Sequence, residues 1–382
     1  MLKSNTREIP LVLGILGAGQ LAKMLANEAY KLGLNIATID KGENTPAGDM
    51  TKNDFYLGWE NDEDLNNFIE KCDIITLENE FISPEIIEKI EKKVPVYPSS
   101  LTMKKIQDKY IQKQNFANAG LPVPEFTEIN TCEEAIDFSK KSGYPFIIKT
   151  RTLGYDGYGN YLVREENDIY DAFKKFGNRK LMAEQFVNFQ KELAVMVVRN
   201  KNGETAIYPC VETIQENHIC HIVIAPAGID EKYKIQAQEI AQKCVEAIDG
   251  IGIFGVELFI DADNQILINE IAPRPHNSGH YTIEACYTSQ YENCIRAVLN
   301  LPLGSTEMLK PSAVMVNLLG KRSGIGVPNN VTEILKYDKA KLHLYNKKTS
   351  RVGRKMGHIT VIGDEPEATL KYALEAEKAI EW

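Results

Sequence analysis

The sequence predicts an α/β protein with an N-terminal domain built on a doubly wound parallel sheet and a small C-terminal β-rich domain. Three observations predict it. The apolar run Leu11-Val-Leu-Gly-Ile-Leu16 is followed by Gly17-Ala-Gly19-Gln20-Leu21-Ala22. A helical pattern (Leu21, Leu25, Ala29, Leu32) and a strand at 35–40 come next, which makes a βαβ unit. Further on, three glycines in six residues, Gly154, Gly157 and Gly159, separate two strand-like runs. Finally, two apolar strands at 254–260 and 266–272 each carry one acid, Glu257 and Glu270. Acids on apolar strands are costly unless they are paired or hold a cation.

Bulk properties narrow the class. A chain of 382 residues predicts two or three domains, each with its own core. Hydrophobic and charged fractions of 43% and 25% are ordinary for a globular protein. A net charge of −9 argues against a nucleic-acid binder, which needs a basic footprint. The first ten residues lack the apolar core of a signal peptide, and no apolar run approaches a membrane span. Seven scattered cysteines without a CxxC pair read as reduced, mostly buried thiols of a cytoplasmic protein, not as a zinc site.

Taken in order, the first domain spans 1–105. Its opening turn, Gly17-x-Gly19-x-x-Ala22 with Asp40 about twenty residues on, fits a dinucleotide fingerprint. The competing reading is a phosphate or ribose grip for a substrate, with Gln20 and Leu21 at the site. The strand at 72–77 ends in Glu78 and Glu80, at the edge where open α/β sheets bind ligands. Glu78 reads equally as a solvated loop acid. Glu80 is the better candidate for holding hydroxyls or a ring amine. A helix follows from Pro84, then a strand at 94–97.

A helix beginning at Gln107-Asp-Lys109 runs to about Ala119, where Gly120-Leu-Pro-Val-Pro124 breaks it. Strands at 126–129 and 146–149 flank a helix at 132–142. Lys149 ends its apolar strand just before the loop Gly154-Tyr155-Asp156-Gly157-Tyr158-Gly159-Asn160. Such a loop exposes backbone N–H groups and can fold over phosphates. It lacks the Gly-Lys-Ser/Thr ending of a Walker A loop. The strand at 181–187 offers Glu184 and its backbone to an adenine edge, with Phe186 and Val187 as apolar faces. The next strand, 191–198, carries Glu192, suited to ribose hydroxyls. Runs at 206–211 and 219–224 read as an antiparallel pair. The helix at 233–248 places Ile235, Ile240, Val245 and Ile248 on or near one face.

After Asn269-Glu270 the loop packs Arg274, His276, Asn277 and His280 into seven residues. Residues 279–297 read as mostly helical, and 314–319 as a buried strand. The last domain carries five cationic residues between Lys347 and Lys355, with Gly353 and Gly357 bracketing Arg354 and Lys355. That suits a phosphomonoester. Mg²⁺ prefers carboxylates plus phosphate oxygens, so Glu257 and Glu270 could hold it against ATP, with Arg274 stabilising a transferring phosphoryl group.

The ordered blocks Gln-Asp-Lys, Ile-Ile-Lys, Gly-Tyr-Asp-Gly-Tyr-Gly-Asn, Ala-Glu-Gln-Phe-Val, Phe-Gly-Val-Glu, Asn-Glu-Ile-Ala-Pro-Arg-Pro-His-Asn-Ser-Gly-His and Gly-Arg-Lys-Met-Gly-His resemble the ATP-grasp superfamily. Within it, the chain resembles the N5-carboxyaminoimidazole ribonucleotide synthetase family almost from end to end. The last two blocks are the most specific.

The resemblance implies an ATP-grasp fold. Residues 1–105 form a Rossmann-like domain, 106–190 the small lid, 191–310 the large subdomain, and 311–382 a β-rich domain packed on the active site. It implies that ATP and bicarbonate carboxylate the amine of 5-aminoimidazole ribonucleotide through carboxyphosphate. Lys109 and Lys149 then match phosphate ligands, and residues 154–160 the loop over the triphosphate. Glu184, Gln185, Phe186 and Val187 match the adenine hinge, and Glu192 the ribose ligand. Glu257 and Glu270, beside Asn269, match ligands of Mg²⁺, for which Mn²⁺ could substitute. Tyr155, Asp156, His276 and Asn277 would face the ribonucleotide or carboxyphosphate. Lys347 and Arg354 would hold the ribonucleotide phosphate, helped by the turn at Gln20 and Leu21. A homodimer, with the product passed to a mutase, is also implied. One departure shows: relatives carry Glu-Asn-x-His where this chain has Glu212-Thr-Ile-Gln215, so Gln215 can hydrogen-bond there but not titrate.

Overall fold

The computed structural model describes residues 10–154 and 159–382. Tyr155, Asp156, Gly157 and Tyr158 lie outside the described residues.

The first unit is a five-stranded parallel sheet in the order Asn53–Phe55, Asn35–Ile39, Val12–Leu16, Ile74–Leu77, Val96–Tyr97. The order reverses direction between Val12–Leu16 and Ile74–Leu77, which makes the gap beyond their C-terminal ends the binding crevice of such a sheet. Buried valines, leucines and isoleucines fill these strands because helices cover both faces.

The second unit is a four-stranded antiparallel sheet in the order Phe126–Ile129, Leu181–Gln185, Phe146–Thr150, Asn160–Val163. Helices Cys132–Ser142 and Glu166–Phe176 back it, and Phe138, Phe146, Ile148, Ile169 and Phe176 form its core. Thr131 and Glu134 close a capping box at the first helix, satisfying backbone donors at its start.

The third unit is a nine-stranded antiparallel sheet. Its path runs Ile266–Ala272, Gly252–Asp261, Phe189–Arg199, Val211–Glu216, Ile219–Ala225, Ser312–Leu319, Lys355–Gly363, Ala340–Leu344, with Thr205–Ile207 paired beside Phe189–Arg199. Strands on either side of residue 310 therefore belong to one sheet, joined where Ile219–Ala225 pairs with Ser312–Leu319. The last helix, Pro366–Glu377, packs on the C-terminal part of this sheet through Ala373 and Ala376.

Two expectations change. The run at 206–211 is not the partner of 219–224: that partner is Val211–Glu216, and Thr205–Ile207 is a separate short strand. Pro209 lies between them and cannot donate to a ladder, so the run divides there. Ile235, expected on the apolar face of the Glu231–Ala247 helix, is 49% exposed. Ala237, Ile240, Ala241, Cys244 and Val245 make the buried stripe.

The first and third units share apolar cores, with Leu16, Phe68 and Ile87 in one cluster with Val195, Phe254 and Ile268. None of the seven cysteines is in a disulfide, and five of them are buried. Among the described residues, no helix is long and apolar enough to cross a membrane.

Candidate active site

A cavity of about 1080 Å³ lies where the three units meet. The lid contributes one wall by strand alternation. Ile147 and Lys149 share a face, and their cross-strand partners Leu162 and Asn160 share it too. Gly159 closes the base of the loop. Its φ is +93° and its carbonyl accepts from Thr150 N at 2.8 Å, while an added Cβ would lie 2.4 Å from Thr150 Oγ1.

On the opposite wall, Glu257 and Glu270 are cross-strand partners. The next pair is Leu258 with Ile268, so Asn269 is an extra residue in its strand, a β-bulge. Without the bulge Asn269 and Glu270 would point to opposite faces. With it, both line the cavity. Asn269 Nδ2 donates to Glu257 Oε2 at 3.2 Å, and His276 Nε2 lies 3.3 Å from Glu257 Oε1. Lys109, at the first turn of the Lys109–Asn118 helix, pairs with Glu270. Burial works against the charge on Glu270, but the Lys109 ammonium outweighs it and holds the carboxyl well below its usual range. Two carboxylates and an amide oxygen form a hard, oxygen-rich donor set, which fits Mg²⁺.

Glu184 departs from expectation. Its side chain is 1% exposed and committed to two lysines, Lys149 at 2.7 Å and Lys113 at 3.1 Å. Only its main chain and the neighbouring Gln185, Phe186 and Val187 remain to meet a ligand edge. Lys149 likewise lines the cavity while paired, not as a free cation. Burial pulls Lys113 down to about 8, against the attraction of Glu184. Glu192 lies across from Thr213 and diagonal to Glu257 on one face. Burial pushes it up to about 7, eased by a hydrogen bond from Gln215 and reinforced by Glu257. Phe189 and Phe259 stack 4.7 Å apart on the same wall.

At the sheet crevice the glycine turn has another role. Glu78 Oε1 accepts from Gly19 N at 2.8 Å, and Asp40 Oδ2 from Ala18 N at 2.9 Å. Two carboxylates of the chain itself therefore occupy the anion-binding end of the Gln20–Lys31 helix. The spacing that resembles a dinucleotide fingerprint makes room for Glu78, whose Cγ would be 2.5 Å from a Cβ on Gly17. Glu78 also lines the cavity. Burial raises it to about 7, its Gly19 bond opposes this, and Asp40 adds to it.

Glu80 accepts from Arg274 at 2.8 Å. Asn277 exchanges hydrogen bonds with Asn317 at 2.9 and 2.6 Å, tying the 277–280 turn to the C-terminal strands. There Lys347 donates to Lys355 O at 2.8 Å, and Arg354 to Thr349 O at 2.7 Å. Burial and the neighbouring Arg354 lower Lys347 to about 8.

The cavity thus gathers Gln20, Leu21, Glu80, Lys109, Lys149, Gly154, Asn160, Glu184 to Val187, Glu192, Gln215, Glu257, Asn269, Glu270, Arg274, His276, Asn277, Lys347 and Arg354. Gly159 stands behind its wall, at the base of the loop. Sequence reasoning missed Lys113, Phe189, Phe259, Ile147 and Leu162. Strand alternation from Lys149, Asn160 and Glu257 was the signal for the last three.

Residues 11–107 match the ribonucleotide synthetase preATP-grasp domain, 114–291 the ATP-grasp domain, and 313–372 the phosphoribosylaminoimidazole carboxylase C-terminal domain. The phosphoribosylaminoimidazole carboxylase of Schizosaccharomyces pombe is 42% identical over 363 residues, 93% of this chain. This chain spans 66% of that relative's length, just under two thirds. The N5-carboxyaminoimidazole ribonucleotide synthase of Staphylococcus aureus is 37% identical over 96% of both chains. The Aspergillus clavatus N5-carboxyaminoimidazole synthase, solved with ADP and 5-aminoimidazole ribonucleotide, superposes with a TM-score of 0.88 at 34% identity. That match covers 97% of this chain and 99% of that one. Likeness over nearly the full length of two such proteins, together with the three domain matches in order along the chain, establishes that this chain belongs to the N5-carboxyaminoimidazole ribonucleotide synthase family of ATP-grasp enzymes.

Proposed function

We propose that the chain uses ATP and bicarbonate to carboxylate the exocyclic amine of 5-aminoimidazole ribonucleotide. The products are N5-carboxyaminoimidazole ribonucleotide, ADP and phosphate, on the route to purines. The observation that carries this reading is a single cavity with two differently charged ends. One end has Lys109 and Lys149 beside Glu257, Asn269 and Glu270. The other has Lys347, Arg351 and Arg354. The first suits a nucleotide triphosphate with its cation, and the second a phosphomonoester. The relative solved with ADP and 5-aminoimidazole ribonucleotide supports the same pairing.

In this reading the lid face closes over the triphosphate, Glu192 and Gln215 meet the ribose, and the 185–187 main chain meets the adenine edge. Mg²⁺ on Glu257 and Glu270 would neutralise charge on the phosphates. Lys109 and Lys149 position the γ-phosphoryl group for attack by a bicarbonate oxygen. The bond to ADP breaks as the carboxyphosphate bond forms. The ring amine then bonds to the carboxyl carbon, directly or as released CO₂, while the carbon–oxygen bond to phosphate breaks. The amine proton leaves to phosphate or to His276, held in orientation by Glu257 and by the Ser278 hydroxyl at 2.7 Å. Arg274, anchored by Glu80, faces the same space. We also read the enzyme as a cytoplasmic homodimer that passes its product to a mutase.

The test is ADP release by the purified chain. It should need bicarbonate and be stimulated by 5-aminoimidazole ribonucleotide. An unchanged rate without the ribonucleotide, or with formate replacing bicarbonate, would overturn the assignment.

A further inference from the structure

A second cluster lies behind the loop that carries His276 and His280. Glu284 sits in the short Thr282–Ala285 helix, His343 in the Ala340–Leu344 strand, and His358 in the Lys355–Gly363 strand. The two histidines are cross-strand partners, so their side chains share a face. Their rings stack 4.4 Å apart at 8°. His343 Nε2 is 2.7 Å from Glu284 Oε1. Each of the three residues offers one ligand atom, and these atoms all lie within 4.8 Å of one another.

Two atoms of the cluster have no hydrogen-bond partner among the described residues: Glu284 Oε2 and His358 Nε2, the latter on a fully buried side chain. A buried polar atom left without a partner is destabilising, and a ligand would satisfy it. His358 Nδ1 is bonded to the Tyr345 hydroxyl at 2.8 Å. With Nδ1 donating to that hydroxyl, the Nε2 lone pair points outward, the arrangement of metal-ligating histidines.

We propose that Glu284, His343 and His358 bind one divalent transition metal of the zinc type, at a site separate from the Mg²⁺ position in the cavity. Two imidazoles and a carboxylate are a zinc-type donor set that leaves one position for water. Imidazole donors select Zn²⁺, Co²⁺ or Ni²⁺ over Mg²⁺, which takes oxygen ligands. Tetrahedral zinc needs ligand atoms roughly 3.3 Å apart. The cluster therefore contracts on binding, and the His343 ring turns out of its stack to bring the metal into its own plane. The His343 side chain is 27% exposed, at the rim of a groove lined by Leu335, Tyr337 and Asp338, which gives it room to turn and gives the metal a way in. The bound ion would join the Thr282–Ala285 helix, next to the His276–His280 loop, to two strands of the C-terminal part of the sheet.

The experiment strips the full chain with a chelator and titrates it with Co²⁺ and then Zn²⁺ in Mg²⁺-containing buffer. One equivalent of Co²⁺ should bind with tetrahedral visible absorption, and Zn²⁺ should displace it. His343→Ala and Glu284→Gln should each weaken binding by more than about 100-fold, since even outer partners of metal ligands are worth about 10–100-fold. Near-ultraviolet dichroism checks that each variant is folded, and if one is not, the other decides. No stoichiometric metal on the wild-type chain, or undiminished binding in the folded variants, overturns the proposal.

Discussion

Replacing Glu184 with Gln should destabilise the lid region through charge, not shape. Among the described residues, Glu184 is the anion that faces two nearly buried cations, Lys113 at 2% and Lys149 at 8% exposure. Glutamine keeps the volume and one acceptor, but the triad passes from a formal charge of +1 to +2. Removing one partner of a buried ion pair costs about 3–5 kcal/mol. Lys113 cannot easily escape to water, because it also donates to Ile268 O at 2.8 Å.

The pH dependence carries the diagnosis. Lys113 already lies at about 8 in the folded chain, against about 10.4 when unfolded. Without the carboxylate it falls further. A lysine whose folded value is depressed destabilises fully below that value, and the penalty fades as pH rises toward the unfolded one. Urea unfolding of the variant should therefore show a clear deficit at pH 7 and a much smaller one near pH 9.5, with an unchanged slope. Adding Lys113→Met should recover part of the loss at pH 7. Equal deficits at both pH values, or no deficit at pH 7, would refute the account.

Three further outcomes are expected. Glu270→Ala should abolish bicarbonate-dependent ADP release, since a lost Mg²⁺ ligand removes several kcal/mol of charge stabilisation; residual turnover near wild type would exclude that role. The KM for the ribonucleotide should rise between pH 7 and pH 9, as Glu78 ionises above about 7 and Lys347 loses its proton above about 8; in Glu78→Gln the lower limb should vanish, and a flat profile in the wild type counts against both groups. Gly17→Ala should cost about 1–3 kcal/mol in denaturant unfolding, because a Cβ at φ +107° meets Glu78 Cγ; the wild-type chain should show no NADH fluorescence enhancement, and tight NADH binding would restore the dinucleotide reading.

Much of the architecture was legible because its signals are local. The turn after Leu16, the glycine loop after Lys149 and the acids at 257 and 270 are chemical exceptions on regular periodic runs. What escaped the sequence depends on distant partners. Lys113 reads as one of many helical lysines until Glu184, far along the chain, meets it in the core. From the sequence Glu78 reads equally as a ligand-facing acid or a solvated loop acid, and it is the parallel pairing of its strand with Val12–Leu16 that brings it onto the glycine turn. The fusion of the C-terminal strands into the large sheet likewise follows from the pairing of Ile219–Ala225 with Ser312–Leu319, which neither segment announces alone.

The extra residue at Asn269 gives the molecule an unusual editing point. Deleting it would let Glu257 and its neighbours pair with an uninterrupted ladder, because the strand on the far side of the mismatch already runs in register from Leu258 to Ile260. The residues before the deletion would keep their faces, while those after it would resume strict alternation. A one-codon deletion would thus remove the amide from the oxygen-rich corner while leaving Glu257 opposite Glu270 and the hydrophobic faces of both strands in place. In a sheet, one inserted residue is enough to set a third donor beside a cross-strand pair of acids.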